Sequence, residues 1–364
     1  MSESRRYYPA LDGLRGFAAF AVLLYHLQDY FESSSFIRGS FLAVDLFFLM
    51  SGFVIATSYE RSLVDGSRSF ASFTWSRVIR LYPLYIIACC IGFSYFLIKH
   101  LIAVPDAPDG LELVTSIPPT LLILPWPTAA EWGFTPYPFA PSAWSLSFEL
   151  WFNIAYAALV MRLSTRNLVA VAVVAFVLMA HQAYAHDSID MGWGMDTMLG
   201  GAARFWFSFS VGIIACRLNV HKMRVSRFPL WAAAPSLLFV FLPHDGVFRG
   251  LMWIVFAFPL ALVICAGFHG SGFLSSTFKH LGRLSYGIYI LHAPIILFET
   301  GMFKMLLGES WIDYRVQIGL AIVSTVIVAA WISTYFVDEP LRRSLSRLRR
   351  APKAEINRSG FAGG

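Results

Sequence analysis

The stretch Phe41-Leu42-Ala43-Val44-Asp45-Leu46-Phe47-Phe48-Leu49-Met50-Ser51-Gly52-Phe53-Val54-Ile55-Ala56-Thr57-Ser58 holds one charged residue, Asp45, in an otherwise unbroken apolar run. A run this long and this poor in charge reads as a helix crossing a bilayer, where each backbone polar group must be satisfied within the segment. Comparable runs bounded by charge lie on either side, near residues 14–31, 82–100, 144–161, 167–185, 203–217, 229–243, 248–268, 284–303 and 316–337. Several are shorter than the roughly 20 residues of a straight span. A short hydrophobic piece near 117–126 adds a candidate re-entrant segment. The predicted fold is an all-α integral membrane protein, a polytopic bundle of about ten transmembrane helices. It occupies residues 1–343 as one domain without internal repeats, and 344–364 form a basic cytoplasmic tail predicted to be disordered.

Composition agrees with this reading. The 364 residues are 57% hydrophobic and 14% charged, against about 25% charged in a soluble domain. So few charges could not cover a soluble surface of this size. Disordered, coiled-coil and disulfide-scaffold classes are excluded on the same grounds. Cys89, Cys90, Cys216 and Cys265 lie in or beside apolar runs with neither metal-ligand nor disulfide-framework spacing, and read as buried packing residues. No metal site is expected.

The net charge of +6 is explained by where the basic residues fall. With the N-terminus in the cytoplasm, all but six of the 28 Lys and Arg lie on the inner side, the exceptions being Arg38, Lys99, Arg204, Arg249, Lys304 and Arg315. The positive-inside rule then makes both termini cytoplasmic. Because the charge is dispersed among short loops, no nucleic-acid partner is expected. Arg5, Arg6 and the run from Phe17 to Tyr25 resemble the start of a signal peptide. No small-residue cleavage site follows, and Asp12-Gly13-Leu14-Arg15 interrupts the approach, so the segment reads as a retained span.

An ionisable side chain deep in a span costs at least roughly 2.5–3.5 kcal/mol on insertion scales, which makes each one a functional candidate. His26, His292, Asp45 and Glu149 lie well inside the predicted spans, and Glu299 lies near an outer end. Eleven residues separate Arg15 from His26. They therefore share one helix face, about 16 Å apart along the axis, with Arg15 at the inner mouth. Asp45 and Glu149 enter their spans from the outer side, so both are expected at the level of His26. Arg77 and Arg80, three apart, project from the same side of a helix at the inner level and suit phosphates, although two such arginines also serve as headgroup anchors. A histidine in a membrane is equally able to form a simple interhelical hydrogen bond. Together the groups read as a phosphate clamp inside and a proton-transferring imidazole above it, which suits acyl transfer from coenzyme A to a hydroxyl. His292 is the weaker candidate, read as packing beside Tyr286 and Tyr289. Asp106, Asp109, Glu112 and Glu131 read as solvated loop acids.

Six motifs also resemble the acyltransferase 3 family of membrane O-acyltransferases. They are Tyr8-Pro9-Ala10-Leu11-Asp12-Gly13-Leu14-Arg15-Gly16 with Tyr25-His26, then Val44-Asp45-Leu46-Phe47-Phe48-Leu49-Met50-Ser51-Gly52-Phe53, and Arg77-Val78-Ile79-Arg80-Leu81-Tyr82-Pro83. Trp144-Ser145-Leu146-Ser147-Phe148-Glu149 follows, then Leu281 to His292 with its Ser285-Tyr286, and Glu339-Pro340-Leu341-Arg342-Arg343. The resemblance implies a multi-pass enzyme of the bacterial cytoplasmic (inner) membrane that acylates hydroxyls of glycans, lipid-linked sugars or small metabolites, commonly from acetyl-CoA as co-substrate. It implies His26 as the essential histidine, Arg15, Arg77 and Arg80 with Tyr82 at the donor, and Ser145, Ser147, Tyr286 and His292 as secondary candidates. The chain ends soon after the last predicted helix, without the esterase-like domain fused to some members, so transfer is expected to finish in the membrane domain. The predicted mechanism has His26 as general base, oriented by Asp45 or Glu149, with an acyl-histidine relay as a variant. The rival reading is a proton-coupled secondary transporter using the same buried groups for a proton relay. Segment 101–143, with Pro118, Pro119, Trp126, Trp132 and Tyr137, suits a sugar or the membrane interface equally. The acceptor stays unnamed, and the oligomeric state stays open, a homodimer included.

Overall fold

A computed structural model describes residues 8–31, 38–222, 246–268 and 273–348. The run predicted near 229–243 and most of the 344–364 tail lie outside those residues. Every regular segment among the described residues is helical. We label α1 Pro9–His26, α2 Ala43–Ile55, α3 Phe70–Leu101, α4 Ala143–Leu159, α5 Thr165–Ala185 and α6 Met198–Arg217. They are followed by α7 Val247–Ala266, α8 Phe273–Leu307, α9 Arg315–Ile332 and α10 Glu339–Leu348. Among the described residues, 6 stretches are long and apolar enough to cross a membrane. The last, Ser275–Arg347, runs 73 residues and contains most of α8 with α9 and much of α10, far more than the roughly 20 residues of one crossing. The protein is a multi-pass, all-helical membrane protein. Helix α10 carries regular structure as far as Leu348, into the stretch predicted as a tail.

Local sequence explains several boundaries. Helix α1 starts at Pro9, earlier than the apolar run at 14–31 suggests, because proline in the first turn lacks only an N–H that no helical carbonyl would accept. The helix also stops earlier, with His26 as its last residue. Arg15 thus stands inside the helix beside Asp12, at 3.3 Å. Ser69 caps α3 by accepting a hydrogen bond from the Ser72 amide, and Ser164 does the same for Asn167 at α5. The piece near 117–126 is the short helix Ile117–Leu121, docked on α3 and α4. Its carbonyl end accepts hydrogen bonds from Tyr82, Tyr85 and Trp151. The loop acids Asp109 and Glu112 form a reciprocal capping box on the helix Gly110–Thr115. Cys89 and Cys265 are buried as predicted, whereas Cys90 is exposed and Cys216 partly so, because a membrane helix also turns apolar residues outward.

Two parallel helix pairs organise the interior. Helix α1 lies along α8, with Gly13 against Phe278, Gly16 against Leu281 and His26 against His292. Helix α2 lies along α6, where Gly52 meets the Phe209 carbonyl and Gly212 meets the Leu49 carbonyl. A Cβ at either of these last two positions would run into backbone, so glycine permits the close approach that membrane helices use for packing. At the two ends of the α2–α6 pair lie the ion pairs Asp45–Arg204 and Glu60–Arg217. By contrast, Val169, Val173 and Val177 on α5 are exposed, an outward apolar stripe suited to lipid.

Candidate active site

Helices α1, α2, α3, α4 and α8 enclose a cavity of about 720 Å³, counted to its open mouth. Arg15, Arg77 and Arg80 line it, together with one acid, Glu149. Ser51, Ser145, Ser285, Tyr286 and Tyr289 supply its hydroxyls. Arg77 is held from behind: it donates from Nη2 to the Tyr59 hydroxyl at 2.7 Å, and its guanidinium stacks over the Tyr59 and Phe73 rings. Its buried Nε has no hydrogen-bond partner. Arg80, one turn on, makes no ion pair or hydrogen bond among the described residues. Glu149 accepts a hydrogen bond from Ser51 at 3.2 Å. Arg15 is paired with Asp12, so Arg77 and Arg80 stand against the one lining carboxylate, a positive excess that is the electrostatics of an anion site.

From the cavity a chain of polar side chains leads to the end of α1. Ser145 and Tyr289 share a 2.6 Å hydrogen bond. The Tyr289 ring packs against His292, centroids 5.9 Å apart, and His292 packs against His26 at 4.9 Å. His292 is buried, with Nδ1 3.3 Å from the Ile288 carbonyl and Nε2 3.4 Å from Ser142 Oγ. A carbonyl only accepts, so the proton resides on Nδ1 and the Nε2 lone pair faces the serine. His26 is exposed, and its ring makes no hydrogen bond among the described residues. An approaching group can reach it.

The structure separates the two acids expected beside His26. Asp45 is fully buried and taken by Arg204, which donates from Nη2 at 2.6 Å and from Nε at 3.2 Å. Glu149 belongs to the arginine-lined cavity. Neither carboxylate contacts the imidazole, so the expected orientation of His26 by Asp45 or Glu149 is not what the geometry provides. Two neighbouring rings, Tyr25 and His292, stand there instead. His292, read from sequence as packing, is thereby the nearest titratable partner of His26. Tyr82 turns away from the cavity to the Leu121 carbonyl, and Ser147 is buried outside the lining. Tyr286 lines the cavity while donating to the Leu81 carbonyl at 2.6 Å. Arg204 and Asp190 were missed at the sequence level. The signal was present for Arg204, a single basic residue just inside an apolar run, but its partner is 159 residues away.

Comparison with known proteins gives this geometry a lineage. Residues 8–334 match the model of the acyltransferase 3 family, described as an acyltransferase domain. "Protein 2 in picA locus" of Rhizobium radiobacter is 37% identical over 177 residues, 46% of this chain and 91% of that protein. "O-acetyltransferase OatA" of Staphylococcus aureus is 24% identical over 379 residues, 93% of this chain and 58% of that protein. "Peptidoglycan O-acetyltransferase OatA" of Listeria monocytogenes is 24% identical over 386 residues, 94% of this chain and 57% of that protein. This chain thus spans little more than half the length of the two O-acetyltransferases. No solved structure matches. With the family match running from the first turn of α1 to the end of α9, the chain belongs to the acyltransferase 3 family and is an acyltransferase.

Proposed function

We propose that the protein moves an acyl group, most simply acetyl, from cytoplasmic acyl-CoA to a hydroxyl of a carbohydrate or lipid-linked glycan, within the bacterial inner membrane. The observation that carries this reading is the arginine-lined cavity, whose Ser145 and Tyr289 lead by side-chain contacts to the His292–His26 pair outside its lining. Arg77 and Arg80 hold the donor's phosphates, and Arg15 lines the path of its pantetheine arm. Held from behind by Tyr59 and Phe73, the Arg77 fork enters that role with its side chain already ordered.

In this reading the acceptor hydroxyl reaches the exposed ring of His26. His26 takes the hydroxyl proton as the acceptor oxygen bonds to the thioester carbonyl carbon. The carbon–sulfur bond then breaks, and the proton passes to the departing thiolate. The neighbouring His292, with its Nε2 facing the Ser142 hydroxyl and its Nδ1 at the Ile288 carbonyl, packs its ring beside His26. The O-acetyltransferase names of two relatives support an acetyl donor, and the peptidoglycan named for one of them supports a glycan acceptor.

The test is a binding and transfer measurement on protein in lipid nanodiscs. Wild type binds acetyl-CoA, and Arg77→Ala with Arg80→Ala weakens binding by about 10- to 100-fold, the scale of one or two lost charge-assisted hydrogen bonds. Indifference of the double variant to acetyl-CoA would remove the arginines from the donor site. A wild type that moves an anionic substrate across the vesicle membrane without binding acetyl-CoA would favour a transporter.

A further inference from the structure

The deepest-buried cluster of charge lies outside the cavity, at the His26 end of the bundle. Arg204 and Asp45 are both fully inaccessible. The guanidinium is heavily engaged: Nε and Nη2 serve Asp45, Nη1 donates to the Met191 carbonyl at 2.7 Å, and Nη2 also reaches the Phe41 carbonyl at 3.4 Å. A fork so engaged and fully inaccessible presents no open face to a substrate. It instead ties together three parts of the chain: the entry to α2, α2 itself, and the segment joining α5 to α6.

That joining segment carries Asp190, whose Oδ1 is 4.0 Å from Arg204 Nη1 and whose Oδ2 accepts a 3.1 Å hydrogen bond from the Tyr25 hydroxyl. Tyr25 precedes His26 in the last turn of α1, and its ring packs edge-on against the imidazole, with centroids 5.1 Å apart. Phe41 supports the other side of that ring at 5.9 Å. His26 has no hydrogen bond of its own and stands on the final residue of its helix, where the backbone is least constrained. Its direction is therefore set by the rings that flank it. Of these rings, His292 is held by Ser142 and the Ile288 carbonyl, and Tyr25 by Asp190.

We infer that Tyr25 and Asp190, braced by the Arg204–Asp45 pair, are positioning residues that hold the His26 imidazole at its working angle. The inference rests on the proposed role of His26 in acyl transfer, and it assigns Asp45 to support rather than chemistry. A small rotation of a reacting group can cost a large factor in rate while leaving a remote donor clamp intact. The signature is consequently a loss in kcat without a change in KM for acetyl-CoA.

Three variants separate positioning from mere stability. Tyr25→Phe keeps the ring and removes only the hydroxyl. Asp190→Ala removes the acceptor, and Asp190→Asn keeps a carbonyl oxygen for Tyr25 without the charge. Each is measured in nanodiscs with acetyl-CoA and an N-acetylglucosamine oligosaccharide as the probe acceptor, alongside hydrogen exchange of residues 186–197. Tyr25→Phe and Asp190→Ala are expected to lower kcat about tenfold with unchanged KM for acetyl-CoA, and their combination to do no worse than either alone. Both speed exchange in 186–197, and Asp190→Asn restores most of the rate. Wild-type kcat in Tyr25→Phe, multiplying losses in the double variant, or unchanged exchange in 186–197 would each overturn the inference. A wild type that transfers no better than His26→Ala fails differently: it removes the reading of His26 itself, and the positioning role with it.

Discussion

The Asp45–Arg204 seam and the Arg77–Arg80 cavity both place arginine within the bundle, yet they are built on opposite terms. In the seam one guanidinium meets a bidentate carboxylate and two backbone carbonyls, and both side chains are inaccessible. In the cavity Arg80 makes no ion pair or hydrogen bond among the described residues, and the one lining carboxylate is itself engaged by Ser51. A charge satisfied on all sides fixes neighbouring segments, whereas a charge left short of partners waits for one from outside. In the proposed reading the same residue type is a brace at one site and a receptor at the other, and the environment decides which.

That contrast is exposed most sharply by breaking the brace. Arg204→Leu leaves Asp45 buried without a counter-charge and is expected to cost about 3–5 kcal/mol, read as a large fall in detergent-monitored melting temperature. Adding Asp45→Leu should recover much of that loss, because replacing both partners avoids the stranded charge. The cavity responds differently. Arg80→Ala, at a residue without an ion pair among the described residues, is expected to leave stability within about 0.5 kcal/mol of wild type while weakening acetyl-CoA binding. A large stability loss there, or unchanged binding, would erase the distinction between the two regions.

Smaller effects sharpen the picture of the α2–α6 seam. Gly52→Ala drives a methyl group toward the Phe209 carbonyl and is expected to cost about 1–3 kcal/mol by forcing the helices apart. The loss should appear in melting temperature and, through Asp45 and Arg204, in faster exchange of 186–197. Ser51→Ala removes one hydrogen bond to Glu149 and is expected to change stability by about 1 kcal/mol or less, detectable only in a careful melting comparison.

How much of this could be read from the sequence follows the same division. Most predicted runs coincide with helices, because a bilayer demands long apolar segments and such segments are local in sequence. Helix α1 was displaced, since Asp12 and Arg15 weaken its hydropathy although Pro9 begins the helix. The cavity arginines were legible because Arg77 and Arg80 sit one turn apart on the same helix face. Pairing across the bundle was not. Asp45 finds Arg204 159 residues away, and His26 finds His292 on another helix, contacts that depend on helix rotation rather than on any local pattern. For that reason Asp45 looked catalytic in sequence and His292 looked like packing, whereas the structure places Asp45 in the brace and His292 beside His26.

The proposal separates donor binding, at the arginine-lined cavity, from chemistry at the His26–His292 pair beyond it, and His26→Ala tests it most directly. With acetyl-CoA titrated into nanodisc protein and transfer followed in the same samples, the account predicts donor binding unchanged and transfer lowered by about 10³-fold, within the range expected for removing a general base. Transfer at the wild-type rate, or loss of donor binding together with transfer, would contradict it.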